Sequence, residues 1–268
     1  MLPSPLPIKP NSHEYVHMLR PLFLKNIKHF SRLGSTSEDA EKWILQERPT
    51  EGSAVLADYQ SRGQGMAGNT WESEAGKNLL VSIVLYPAFL PAEEQFMINK
   101  VVSLAVKECV RNLSGLNEIS VKWPNDVYAG NRKIAGILSR SSIRGREIEY
   151  TVAGVGLNVN QEKFDKYVPE AVSLKMLTGK EFEIGRVLKA LGTGLEKYYV
   201  MLRQGSQKEI DQQYLNSLYR FNREAGFTSD GKSFKGIIKG VNRYGFLIVS
   251  TDGTEKEFDI KDVQFLPD

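Results

Sequence analysis

The stretch that most constrains this chain is Tyr59–Trp71, YQSRGQGMAGNTW. It places Gly63, Gly65 and Gly68 between SAVLADYQ (53–60) and NLLVSIVLYP (78–87), both of which read as strands. Glycines at this density let backbone approach a ligand closely and take positive φ. With Gln60, Arg62 and Gln64 around them, the loop suits a polyanion such as a nucleotide phosphate. The literal pattern GxGxxG is also that of the dinucleotide-binding turn. That turn works only between a strand and a helix whose N-terminus holds the pyrophosphate. Here NTWESEAGKN follows, too polar and glycine-broken for a core helix, and then a strand. The dinucleotide fold fails on that context, and the plainer alternative is a mobile surface loop with no ligand.

The rest of the composition bounds the answer. A chain of 268 residues with 41% hydrophobic and 25% charged residues has the make-up of a globular protein, with room for one large domain or a large and a small one. A net charge of +3 is too weak to argue for nucleic acid. Cys109 is the single cysteine, so there is no disulfide framework and no cysteine metal site. No apolar run approaches the roughly 20 residues of a membrane span. The opening MLPSPLPIKP lacks a basic region followed by an apolar core, so a cytoplasmic protein is expected.

In chain order, residues 1–26 read as an N-terminal extension, proline-rich and poorly ordered, with Met18 as an alternative start. NIKHFSRL (26–33) reads as a strand with Ile27 and Phe30 toward the core. GSTSEDAEKWILQE then reads as a helix capped by Ser35 or Ser37, with Glu38, Asp39 and Glu41 in its first turn. Ser35–Thr36 is thus either a simple cap or a ligand contact. In PAEEQFMINKVVSLAVKECVRNL, Ile98, Val102, Ala105, Cys109 and Leu113 recur at helical spacing, which makes Cys109 a core residue rather than a nucleophile. NEISVKWPNDVYAGNRKIAGILSR reads as two strands, about 119–123 and 133–140, joined through YAGNR, and 146–160 as another. Helices are expected over 184–202 and 206–221. From Arg223 onward, glycine-punctuated β-like runs carry Asp-Gly pairs at 230–231 and 252–253, strong hairpin signals. The pattern predicts an α+β fold, a mixed and mostly antiparallel sheet packed by helices over 27–221, with a small SH3-like barrel over 222–268.

Two polar clusters carry the chemistry. In VKWPND, Lys122 stands beside a tryptophan, a proline that stops strand pairing, Asn125 and Asp126. Lys133 opens KIAGIL. Two lysines flanking a hairpin, with a carboxylate at its mouth, can converge on one pocket and stabilise anionic oxygens. Against this stands the ordinary reading of Lys122 and Lys133 as surface lysines.

The set Gly34-Ser35-Thr36, Gln60 with the loop ending at Trp71, KWPND (122–126), KIAGIL (133–138), Gly154-Val-Gly-Leu-Asn158 and PEAVSL (169–174) resembles the biotin protein ligases in order and spacing from residue 27 to about 175. KWPND followed by KIAGIL is the specific pair; each glycine motif alone is weak. The resemblance implies a class II synthetase-like catalytic domain that joins biotin to ATP as biotinyl-5′-AMP and passes it to a lysine of a biotin carboxyl carrier domain, as of acetyl-CoA carboxylase. It implies catalytic roles for Lys133, Asp126 and Lys122. Biotin contacts fall to Ser35, Thr36, Gln60, Gly63, Lys133, Gly136, Gly154 and Gly156. ATP and adenylate contacts fall to Arg62, Gln64, Gly65, Met66, Trp71, Lys122, Asn125, Lys133 and Asn158. Magnesium is expected with ATP, with no ligands assigned. Partners are the carrier protein, biotin and ATP, without DNA or membrane, the chain being a monomer or homodimer.

The chain departs from this family in its loop, which commonly reads GRGRxGRxW. Gln64, Met66 and Asn69 hold the arginine positions, leaving Arg62 nearby, and Ser37 stands where the family usually has Asn. The expectation is that the loop grips the adenylate through backbone amides and Arg62, less tightly than arginine-rich relatives do. About 26 residues before the catalytic domain are too few for a helix-turn-helix, so a short, non-repressor form is expected. The rival readings are a lipoate or octanoate ligase of the same fold, and a catalytically silent nucleotide- or carrier-binding protein.

Overall fold

The computed structural model describes residues 23–165 and 171–267. Its strands in chain order are β1 (Ile27–Phe30), β2 (Ala54–Ala57), β3 (Asn78–Leu85), β4 (Ile119–Lys122), β5 (Asp126–Ala129), β6 (Arg132–Arg144) and β7 (Glu147–Asn158). They form one seven-stranded sheet in the order β1-β2-β3-β7-β6-β5-β4. Only β1 and β2 run parallel; every other neighbouring pair is antiparallel. All eight residues of β3 are buried, because helices cover both faces of the sheet there. On one face α1 (Thr36–Glu47) presses Ala40, Trp43 and Ile44 against Val55, Val84 and Val152. On the other, α2 (Phe96–Ser114) supplies Ile98, Val102 and Ala105 to the main core. Helix α3 (Leu174–Thr178) is short, and α4 (Ile184–Arg203) crosses α2 so closely that a Cβ on Gly194 would stand 3.2 Å from the Ala105 Cα.

The remaining elements are α5 (Gln207–Leu215), β8 (Glu224–Ser229), β9 (Lys232–Val241), β10 (Leu247–Thr251), β11 (Thr254–Phe258) and β12 (Gln264–Phe265). The last five form a second sheet in the order β11-β10-β9-β8-β12. Its order is linear, so the sheet is open where a closed barrel was expected. Both Asp-Gly turns behave as the sequence requires. Asp230 and Gly231 have φ of 50° and 73°, and Asp252 and Gly253 have 49° and 77°, the positive pair of a type I′ hairpin.

Several expectations shift in detail. The helix expected over 206–221 stops at Leu215, because Val121 takes the next segment as a partner: its N–H donates to Ser217 O at 2.7 Å and its O accepts from Tyr219 N at 2.9 Å. KWPND is not the end of one strand but the turn between β4 and β5, so three strands stand where two were expected. Ile27 and Phe30 lie on an edge strand and are 38% and 36% exposed, not core. Residues 1–22 of the N-terminal arm lie outside the described residues, while Phe23 is buried against Tyr199 and Leu24 reaches Gly192. No described helix is long and apolar enough to cross a membrane.

Candidate active site

A cleft of about 130 Å³ opens between the start of α1, the 60–71 loop, the β4–β5 turn, and the middle of β6 and β7. Its floor is glycine for a geometric reason. Gly136 and Gly156 are register partners on β6 and β7, and the indole of Trp71 lies across both. A Cβ on Gly156 would fall 2.4 Å from Trp71 Cε2, and one on Gly136 2.8 Å from Cζ3. The indole Nε1 is buried, with no hydrogen-bond partner among the described residues.

Lys133 rises from β6 beside this floor. Its Nζ stands 2.7 Å from Asp126 Oδ1 and 5.4 Å from the Trp71 ring centroid. Both members of the pair are partly open to the cleft, at 29% and 22% side-chain exposure. Asn125 holds the adjacent turn in place: its Nδ2 donates to Ile137 O at 2.6 Å while its own carbonyl accepts from Ile137 N at 2.9 Å. From α2, Asn99 Nδ2 donates to Pro124 O at 2.7 Å. The KWPND turn is thus tied to the neighbouring strand and to a helix, which fixes the carboxylate opposite the lysine.

The other end of the cleft is built from hydroxyls. Ser35 occupies the N-cap position of α1, yet its side chain makes no capping bond, so the cap reading of that serine fails. Thr36 donates to Gln60 Oε1 twice, from its backbone N at 2.7 Å and from Oγ1 at 2.9 Å. Behind them Ser82 on β3 bonds Thr36 Oγ1 at 2.8 Å and Ser37 Oγ at 3.0 Å. Gly154 faces this group, and a Cβ there would lie 2.9 Å from Ser37 Oγ.

The loop crosses above. Trp71 N donates to Gly63 O at 2.9 Å, and Gly65 N to Asn69 O at 2.7 Å, closing it into a strap around a single 3₁₀ turn, Met66–Gly68. Gln64 ties the strap down: Nε2 donates to Glu38 Oε1 at 2.7 Å, and Oε1 accepts from Arg140 on β6.

Of the residues singled out by sequence, Ser35, Thr36, Gln60, Gln64, Gly65, Met66, Trp71, Asn125, Asp126, Lys133, Gly136, Gly154 and Gly156 line this one cleft. Four do not. Gly63 shapes the strap from behind, where a Cβ would meet Trp71 O at 2.5 Å. Arg62 is 72% exposed and reaches Glu38 at 3.3 Å. Asn158 donates to Val172 O at 3.1 Å. Lys122 is directly opposed to Asp126 across β4 and β5, yet its ammonium turns away. It lies 3.0 Å from Tyr128 Oη and over the ring of Phe265, in a separate hollow of about 280 Å³ shared with Tyr219 and Arg220. The cleft lining also takes in Ser37, Asn69, Thr70, Ile137, Leu138 and Val155, none of which the sequence assigned a contact, with Ser82 hydrogen-bonded behind Ser37. All six lining residues lie within or beside the quoted motifs, whereas Ser82 carried no signal.

The chain is similar to known proteins in sequence and in fold. The model of the biotin/lipoate A/B protein ligase family matches residues 30–158. The bifunctional ligase/repressor BirA of Bacillus subtilis is 28% identical over 170 residues, 62% of this chain and 51% of that protein, so the chain spans about half the length of that relative. The biotin–[acetyl-CoA-carboxylase] ligase of Mycobacterium tuberculosis is 26% identical over 225 residues, 83% of this chain and 82% of that one. Among solved structures, biotin protein ligase from Aquifex aeolicus in complex with biotin and ATP superposes with a TM-score of 0.77 at 24% identity, covering 91% of this chain and 100% of that one. Over residues 30–158 the chain is similar to the biotin/lipoate A/B protein ligase family, and its fold is that of the solved biotin protein ligase.

Proposed function

We propose that this protein is an ATP-dependent biotin–protein ligase, and the observation that carries the reading is the Lys133–Asp126 pair set at the glycine floor of the cleft. In the first step a biotin carboxylate oxygen bonds to the α-phosphorus of ATP, and the bond from that phosphorus to pyrophosphate breaks. Two anions must meet, so the step needs a cation where charge gathers. Lys133 supplies it at the junction of carboxylate and phosphoryl oxygens, and Asp126 holds the ammonium in place. In the second step the amine of a carrier-domain lysine attacks the acyl carbon, AMP leaves with its phosphate oxygen, and an amide remains. The strap and Trp71 shield the mixed anhydride from water between the steps.

The hydroxyls of Ser35 and Thr36 and the amide of Gln60 suit the polar head group of biotin, and this end of the cleft favours biotin over lipoate, whose ring has no N–H to offer. Magnesium usually holds few protein ligands and keeps its bonds to substrate phosphates. Asp126 fits that use as the carboxylate of the cleft, where the ion would neutralise phosphate charge. No cluster of three metal-ligating side chains occurs among the described residues. The arginine-poor strap supports a looser hold on the adenylate, since Arg62 pairs with Glu38. We read the C-terminal sheet as an SH3-like unit, and the carrier domain of a carboxylase as the acceptor. The test is pyrophosphate release from ATP by wild type and Lys133→Ala. Release that requires biotin, ignores lipoate and collapses in the variant is expected. Release with lipoate alone would assign the other acid, and ATP binding without release a silent binder.

A further inference from the structure

KWPND divides at its proline. On one side, Asn125 and Asp126 line the cleft. On the other, Lys122 lies over the ring of Phe265, and the buried Trp123 donates from its indole Nε1 to Gly245 O at 2.9 Å. Phe265 is on β12, and Gly245 lies in the turn between β9 and β10. The turn that carries the acid of the cleft is thus bonded, three residues before that acid, to the C-terminal sheet. The acceptor is held as firmly as the donor. Asn242 organises the β9–β10 turn: its Oδ1 accepts from Tyr244 N at 2.9 Å and from Phe246 N at 3.0 Å, and its backbone O accepts from Gly245 N at 3.0 Å. Gly245 takes a φ of 95°, which favours glycine, and a Cβ there would stand 2.5 Å from Phe96 Cδ2 at the start of α2. Ring burial is non-directional. An indole N–H can only donate, and when buried it needs an acceptor. The Gly245 carbonyl supplies one in a fixed direction, which sets the rotation of the indole.

We propose that Trp123 is a positioning residue: its hydrogen bond to Gly245 lets the C-terminal sheet set where Asp126 stands and, through Asp126, where the Lys133 ammonium stands. The proposal rests on the reading of the Lys133–Asp126 pair as the reaction centre. Trp123 itself does not line the cleft. It acts on groups that must meet the reacting oxygens, and a displacement of about 1 Å at such groups can cost on the order of a hundredfold in rate. The hydroxyl end of the cleft is built instead by α1, β3 and Gln60. The loss therefore falls on turnover rather than on the binding of biotin.

The test uses the full chain and measures biotin-dependent pyrophosphate release, with kcat and the biotin KM determined separately. A tryptophan isostere with sulfur in place of the ring N–H, placed at position 123 by codon suppression, keeps the shape and removes the donor. It should lower kcat about tenfold, the worth of one buried hydrogen bond, with the biotin KM within about twofold of wild type. Asn242→Ala, which loosens the acceptor turn and leaves the indole intact, should lower kcat in the same way by a smaller factor. In an Asp126→Asn background, followed by single-turnover adenylate formation because that background is slow, both losses should shrink to about twofold or less. An effect that acts through Asp126 then has nothing left to position, whereas a scaffold role would add in full. A kcat within about twofold of wild type for the isostere, a loss carried by KM instead, or a kcat loss undiminished with Asp126→Asn overturns the proposal. Should the isostere fail to fold, Asn242→Ala is judged by the same criteria. Wild type that releases no pyrophosphate with biotin refutes the ligase reading itself and is seen before any variant is made.

Discussion

The floor of the cleft and the strap above it are held by different forces. The floor is backbone: Gly136, Gly154 and Gly156 sit mid-strand in a continuous antiparallel ladder between β6 and β7, with Ala135, Ile137, Val155 and Leu157 buried around them. The strap from Gly63 to Trp71 is fastened mainly by side chains, Gln64 to Glu38 and Arg140, on a partly exposed surface. A ladder bond is protected by the whole sheet, whereas a side-chain tether opens locally at low cost. On the proposed reading, precision at the lysine belongs to the floor, and retention of the reactive intermediate belongs to the strap.

Substitutions separate the two. The largest effect is expected from Lys133→Ala, which should lower adenylate formation by about 100-fold or more, as removal of a transition-state cation or donor does. The melting temperature should hardly move, because a partly solvated ion pair adds little to stability. A large loss of stability instead would make Lys133 part of the scaffold. Next is Gly156→Ala, whose methyl collides with the Trp71 indole; overpacking of about 1–3 kcal/mol should appear as a lower melting temperature together with weaker biotin binding. If both stay at wild-type values, the close packing of indole on strand is not a constraint. Gln64→Ala should leave the melting temperature alone, raise the biotin KM roughly threefold to tenfold, and release more free biotinyl-AMP during turnover. An unchanged amount of free adenylate would remove the strap from retention. The smallest effect falls on Arg62→Ala, an exposed pair worth less than about 0.5 kcal/mol, with adenylate release near wild type. A marked rise would return Arg62 to the cleft. As a control outside both regions, burial pushes the Cys109 thiol up to about 12, so the native protein should resist thiol alkylation at pH 8 and react on unfolding.

Local chemistry was legible without the fold. Asp-Gly pairs need positive φ and made hairpins; the apolar stripe of Ile98, Val102 and Ala105 made a buried helix; a glycine-dense run followed by a strand could not be a dinucleotide turn. KWPND and KIAGIL identified Lys133 and Asp126, and the structure sets them 2.7 Å apart. Each of these signals lies within a few residues, where sterics and periodicity act directly.

What the tertiary structure alone decided is direction and company across long separations. Lys122 and Lys133 looked alike in sequence. One faces the cleft; the other is drawn to Tyr128 and to Phe265 of the C-terminal sheet, since a long flexible stem follows whichever aromatic face or carboxylate lies in reach. Ser82 carried no signal, standing as one polar residue in the apolar run of β3. It matters because the strand passes beneath the first turn of α1, 45 residues away, where hydroxyl protons are shared only at hydrogen-bonding distance.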